Sequence, residues 1–324
     1  MKAAYVDRYG PPEVIEVREV PAPSPGPHDV LVRQMASSVS PADCAFRSAD
    51  PFIVRLFDGL TKPKNPIPGG AVAGVVDAVG AAVTRFAPGD RVFGTTDPKP
   101  GAMAELVLVP EDGALVAMPD GLDFNQAGGL TYSFLTAMPF LRDEAKLQPG
   151  QTILINGAAG SIGTIAVQLA KHMGAKVTAV CSTRNIELVR TLGADIVIDR
   201  TKMDFTEGAA KYDTVFDAVG KSSYRACRGI LKSGGIYLTT VPSFAILGHM
   251  LRGKHADGTR AKLATTGLRP TADKARDMVV LRELVEAGVL RSVIDRVYPL
   301  REIAEAHRYV ETGTKAGDVI VTIA

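Results

Sequence analysis

The chain has 324 residues, long enough for two domains with separate cores. Hydrophobic residues make up 46% and charged residues 22%, the proportions of a globular, soluble protein, and no apolar stretch is long enough to span a bilayer. A net charge of +2 carries no polyanion signal, so neither nucleic acid nor membrane is expected as a partner.

Met1-Lys2-Ala3-Ala4 does not open a signal peptide, and the three scattered cysteines, Cys44, Cys181 and Cys227, give no disulfide framework. Both features suit a reducing, cytoplasmic compartment. Residues 1–35 read as a strand, a turn at Gly10-Pro11-Pro12, a second strand from Val14 to Val20, a proline-rich turn and a third strand from Val30 to Met35. An irregular segment from Ser37 to Asp43 leads into a short helix. Small-residue strands follow at Pro68–Val76, after Pro88-Gly89-Asp90, and from Ala102 to Val109. This first third is mostly β. Asp123 to Leu141 is apolar and helical.

Residues 150–184 organise the rest of the chain. Thr152 to Asn156 fits a buried strand, and Gly157-Ala158-Ala159-Gly160-Ser161-Ile162-Gly163 is a turn of small residues. Apolar positions then recur at helical spacing through Ile165, Val167, Leu169, Ala170 and Met173, and Lys176 to Cys181 is the next strand. Strand, small turn, helix, strand is the dinucleotide-binding unit. A diphosphate has to lie against backbone N–H groups at the helix N-terminus, and a bulky side chain would hold it off. The strict G-x-G-x-x-G pattern is absent, because Ala158-Ala159 stands where a second glycine is usual; an ordinary strand-to-helix turn is the alternative.

The end of the second strand bears on the cofactor. An NAD site places an acid there for the ribose 2′-hydroxyl. Here Ser182, Thr183 and Arg184 follow Cys181, and the first acid is Glu187. Hydroxyls and a guanidinium suit a 2′-phosphate, so NADPH is expected; the alternative is that Arg184 is only a solvated surface residue. Further strands are expected at 195–198, 213–217, 235–241 and about 262–266, which with the first two make a doubly wound sheet. Thr271–Ala287 and Arg301–Glu311 read as helices. Ser292–Tyr298 and Val319–Ile323 read as strands that return to the first domain.

Taken in order, Met1-Lys2-Ala3, Pro88-Gly89-Asp90-Arg91-Val92, Leu135-Thr136-Ala137, Ala158-Ala159-Gly160-Ser161-Ile162-Gly163 and Leu192-Gly193-Ala194-Asp195 resemble the medium-chain dehydrogenase/reductase superfamily, in its zinc-independent quinone-oxidoreductase branch. The resemblance implies an α/β chain: a GroES-like β-rich catalytic domain (1–122), a doubly wound Rossmann nucleotide-binding domain (123–268) and a return to the catalytic domain (269–324), with the active site in the cleft between them. Zinc members carry a Cys and a Gly-His-Glu where this chain has Ser40 and Gly70-Ala71. Residues Gly94 to Gly101 hold no cysteine for a second lobe, and the five histidines show no ligand spacing, so no metal is expected. Without a metal or evident base, alcohol oxidation is disfavoured. Reduction of a quinone or α,β-unsaturated carbonyl asks less of the protein, since water or a nearby hydroxyl can protonate the product anion.

By the same resemblance, Thr136 approaches the nicotinamide. Ala218 and Val219 end a strand at the cofactor edge. Thr240, Val241 and Pro242 pass the ribose, Arg200 adds a second cation near the 2′-phosphate, and Lys315 to Asp318 closes the site. Ser40 and Tyr132 are the candidate catalytic hydroxyls, although Tyr132 also reads as a helix-packing residue. Phe52–Pro66 and Phe244–Arg260 read as substrate-lining loops. A homodimer is expected, from the resemblance and from Gly235–Val241 read as an exposed edge strand. An enoyl-thioester reductase and a non-catalytic NADPH-binding protein are the competing readings.

Overall fold

The structure, a computed structural model, describes residues 1–323. The chain forms two compact units, Met1–Tyr132 with Pro270–Ala324, and Ser133–Arg269. The first division falls inside a helix, ten residues beyond the expected boundary at 122.

In the first unit, β1 (Lys2–Tyr5) and β2 (Glu16–Glu19) form a small antiparallel ribbon. The expected strand from Val14 is shorter, because Pro12–Val14 turns as a single 3-10 helix. The third strand, β3 (Asp29–Val39), is longer than expected and takes in Ser37–Val39. Its length has a physical reason: it pairs with β6 along residues 29–33, with β4 along residues 30–36, and with the last strand along residues 36–39. Helices α1 (Pro41–Ser48) and α2 (Val54–Asp58) follow, then β4 (Ala71–Val79), β5 (Arg91–Thr95), β6 (Leu106–Pro110) and β7 (Leu115–Ala117). Helix α3 (Phe124–Pro139) carries the chain out of this unit.

The second unit is a parallel sheet flanked by helices. Its elements are β8 (Thr152–Asn156), α4 (Ser161–His172), β9 (Lys176–Cys181), α5 (Ile186–Thr191), β10 (Ile196–Asp199), β11 (Tyr212–Asp217), α6 (Tyr224–Cys227), β12 (Leu231–Thr239), α7 (Phe244–Arg252) and β13 (Arg260–Leu263). The strand order is β10-β9-β8-β11-β12-β13. The order reverses between β8 and β11, where α/β sheets open a crevice at the strand carboxyl ends. The strands expected at 152–156 and 176–181 are found with the same bounds. Helix α4 buries Ile165, Val167, Leu169 and Ala170 of the periodic set read from the sequence, and Ala166 besides, whereas Met173 caps the helix half-buried.

Two expectations for this unit are corrected. Gly235–Val241 is not an exposed edge: β12 lies between β11 and β13, and Gly235 to Thr239 is buried. The edge is β13. Phe244–Arg260 is not all loop, since Ser243 accepts from the Ile246 N–H at 3.2 Å and starts α7.

The chain then returns through α8 (Thr271–Glu286), β14 (Ile294–Pro299), α9 (Ile303–Glu311) and β15 (Asp318–Thr322). Strand β15 pairs with β3, which ties the last residues into the first unit's sheet. That pairing buries Val319 and Val321 with Val39, Leu300, Ile303 and Val310. No helix among the described residues is long and apolar enough to cross a membrane.

Candidate functional site

At the C-terminal edge of the second unit's sheet, Gly157 leaves β8 at φ +77°, a conformation costly for any residue with a Cβ. A Cβ there would also strike the Val219 side chain, and one at Gly163 would strike the Gly157 carbonyl oxygen and lie 2.7 Å from the Ala158 Cα. The two glycines therefore let α4 start directly against the strand. Gly160 caps α4 without a side chain, so its first turn, Ser161 and Ile162, is not shielded by a capping hydroxyl. A Cβ at Gly220 would meet Val241. The fold thus gathers Ala159 to Ile162, Ala218 to Gly220, and Thr240-Val241 into one ridge, although the first and last of them are more than eighty residues apart in the chain. Thr240 donates to the Ala218 carbonyl at 3.2 Å, joining the ends of β11 and β12.

Beneath that ridge Asp217, the last residue of β11, is fully buried. One carboxylate oxygen accepts from Asn156 Nδ2 (3.0 Å) and the Val219 N–H (3.3 Å), the other from the Ser222 N–H (2.8 Å) and the Tyr237 hydroxyl (3.0 Å). It joins the ends of three strands. Only its position at a strand end hinted at this.

At the end of β9, Ser182, Thr183 and Arg184 form a single turn, with Thr183 and Arg184 exposed. Thr183 donates to Asp199 Oδ2 at 2.6 Å, and Thr201 donates to the other oxygen through its backbone and hydroxyl. These hydroxyl bonds hold the Asp199 carboxyl down at about 2. Sequence reading missed this acid because it belongs to β10, opposite Cys181 in the register. Arg200 is exposed and its backbone bonds to the Cys181 carbonyl, so it follows the same strand ends. Thr136 lies half-buried on α3, and Pro242 is exposed after Val241.

The first unit holds Ser40, Tyr132 and Lys315. Ser40 caps α1: its Oγ donates to Asp43 Oδ2 at 2.6 Å and accepts the Asp43 N–H at 3.3 Å. Its proton is directed at Asp43 in this arrangement. Burial raises the Asp43 carboxyl above its ordinary range. Lys315 donates to the Gly317 carbonyl at 2.7 Å, and burial lowers its ammonium.

Tyr132 packs against Gly70. Its hydroxyl occupies the volume that any side chain at Gly70 would need, with Cζ 2.9 Å from the position of a Cβ there. The Gly70 backbone is fixed in turn, its carbonyl accepting from the Thr96 N–H and the next carbonyl, that of Ala71, from Gln34 and Ser37. Burial, and then the nearby Asp43 charge, pushes the Tyr132 phenol well above its ordinary range, so it stays protonated at neutral pH.

Cys44 Sγ lies 3.5 Å from His307 Nδ1, a contact that sequence spacing did not reveal. Burial pushes the thiol up to about 12 and the imidazole down to about 3, so both stay neutral in the core. Among the described residues, no cluster of three or more His, Cys, Asp or Glu side chains could hold a metal.

Two family models match the chain. An alcohol dehydrogenase GroES-like domain matches residues 26–120, and a zinc-binding dehydrogenase domain matches residues 192–321. The chain is 34% identical over 328 residues to a quinone oxidoreductase of Pseudomonas aeruginosa, covering 97% of each chain. It is 31% identical over 334 residues to a chloroplastic NADPH-dependent alkenal/one oxidoreductase of Arabidopsis thaliana, covering 99% of this chain and 79% of that one. The solved quinone oxidoreductase of Coxiella burnetii superposes with a TM-score of 0.88 at 28% identity, over 100% of this chain and 99% of that one. The chain belongs to the medium-chain dehydrogenase/reductase superfamily, in its quinone-oxidoreductase-like branch.

Proposed function

We propose that this chain is an NADPH-dependent oxidoreductase that reduces quinones or α,β-unsaturated carbonyls without zinc. The observation that carries the reading is the ridge of small residues at the carboxyl ends of β8, β11 and β12, open against the first turn of α4. The names of the relatives support the substrate class. Ala159 to Ile162 would hold the diphosphate, with Ser182, Thr183, Arg184 and Arg200 on the 2′-phosphate side. Thr136, Ala218, Val219, Thr240, Val241 and Pro242 would line the nicotinamide side, and Lys315 would close it. When bound, the dihydronicotinamide supplies hydride.

Tyr132 is then the group that answers the charge developing on the substrate oxygen. A phenol that remains protonated donates a hydrogen bond to an oxyanion, the work a metal does in zinc relatives. Its hydroxyl also fills the space beside Gly70 where a ligand side chain would project. Water completes the reduction by protonating the product anion.

The test is turnover of NADPH against a panel of quinones and enones, with and without chelator. Turnover that persists in chelator, with no stoichiometric zinc by metal analysis, is the expected result. One zinc per chain with activity lost on its removal contradicts the metal-free reading. No turnover with any acceptor leaves a non-catalytic NADPH-binding protein.

The three free, buried cysteines support a reducing, cytoplasmic setting. A homodimer is supported by β13 at the sheet edge and by α7 packed on it, with Phe244 and Leu251 about nine-tenths exposed. Sedimentation should give the mass of two chains at micromolar concentration, and the mass of one chain would count against it.

A further inference from the structure

We infer that Asp199 takes part in cofactor choice by being withheld: Thr183 and Thr201 engage its carboxylate, so that an acid able to serve a ribose stands beside the site and is kept from it. The inference rests on the reading of the Ser182–Arg184 turn as the 2′-phosphate side of an NADPH site.

Asp199 is the last residue of β10 and lies opposite Cys181, the last residue of β9, in the parallel register. It therefore stands one strand away from the place where an NADH site carries its acid. Its side chain is only 10% exposed. Oδ2 accepts from the Thr183 hydroxyl at 2.6 Å, and Oδ1 accepts from the Thr201 N–H at 3.0 Å and the Thr201 hydroxyl at 2.7 Å. The two threonine oxygens are themselves 3.0 Å apart, which closes a ring around the carboxylate. A carboxylate has about four lone-pair positions, so three donors leave little for a further partner. The loop that carries Thr201 is fixed as well, because the Asp199 carbonyl accepts from the Lys202 and Met203 N–H groups, at 3.0 and 3.1 Å. Lys202 Nζ, 3.9 Å from Oδ2, offsets part of the charge.

The arrangement has a consequence for each cofactor. A carboxylate free to turn toward the adenosine ribose would accept from its hydroxyls and would repel a 2′-phosphate. Held by Thr183 and Thr201, the same carboxylate offers NADH no acceptor and stands back from the phosphate of NADPH. Specificity is a difference between two affinities, so removing an attraction for NADH raises the preference for NADPH without any new contact. Thr183 is by this account a positioning residue, its proton directed at Asp199 and not at the cofactor.

The experiment is calorimetric titration of the purified protein with NADPH and with NADH at fixed salt. The double variant Thr183→Val with Thr201→Val removes both hydroxyls and frees most of the carboxylate. It should weaken NADPH by about tenfold and tighten NADH by about threefold, and adding Asp199→Asn should bring the ratio of the two dissociation constants back to within about threefold of the wild type. Thr183→Ser with Thr201→Ser keeps the hydroxyls and should keep the wild-type ratio. If the valine variant weakens both cofactors equally, or if its change of ratio survives Asp199→Asn, Asp199 only braces the turn and the inference falls. Tighter binding of NADH than NADPH by the wild type fails the NADPH reading by itself. A ratio that still moves toward NADH in the valine variant and returns with Asp199→Asn upholds the withholding even then. Thermal unfolding of each variant separates these results from loss of fold.

Discussion

Replacing Arg184 with alanine is expected to weaken NADPH binding by roughly tenfold to a hundredfold and to leave NADH almost unaffected. The range follows from a charge-assisted hydrogen bond worth about 1.5–3 kcal/mol, at about 1.4 kcal/mol per decade. Arg184 sits on an exposed turn after β9, and the substitution should leave the fold intact. Asp199 bears on the same point, because a carboxylate beside the strand ends could serve a ribose hydroxyl and repel a phosphate. Its two oxygens, however, are engaged by Thr183 and Thr201, so it buttresses the turn. The measurement is binding of both cofactors to both proteins at fixed salt, since the contact is screened. Equal weakening of the two, or tighter NADH binding by the wild type, would show that Arg184 is no phosphate ligand.

The second large effect concerns Asp217. Asp217→Ala should destabilise the nucleotide unit by about 3–5 kcal/mol, the cost of stranding buried polar partners of a charge. Four donors lose their acceptor at once: Asn156, the Val219 and Ser222 N–H groups, and Tyr237. Because those donors sit at the ends of β8, β11 and β12, cofactor binding should weaken as well. Asp217→Asn keeps the volume but exchanges acceptor sites for donors, so it should recover little. Thermal unfolding followed with and without NADPH reads both effects. A variant that melts within a degree or so of the wild type and binds NADPH normally would show that the network carries no such energy.

Much of the second unit was legible in the chain. Isoleucine-rich runs, a turn of small residues and a 3.6-residue apolar period are local signals, and they set β8, α4 and β9 within the observed bounds. The expectation of no metal rests on Ser40 and Gly70-Ala71, residue identities that are read without coordinates. Other features depended on pairing between distant segments. The apolar run from Gly235 looks the same whether a strand lies beyond it or not, and only the placement of β13 decided that it is interior. Ser40 reads as a hydroxyl in a loop until Asp43 folds back to take its proton. Asp199 lies fifteen residues after Arg184, and register alone brings it under Thr183. Tyr132 and Gly70 are unrelated positions in one dimension. Packing sets the phenol where a Cβ at Gly70 would be. Local propensity and periodicity act over a few residues and are written in the sequence, whereas the partners of a buried polar group are neighbours that only the folded chain brings together.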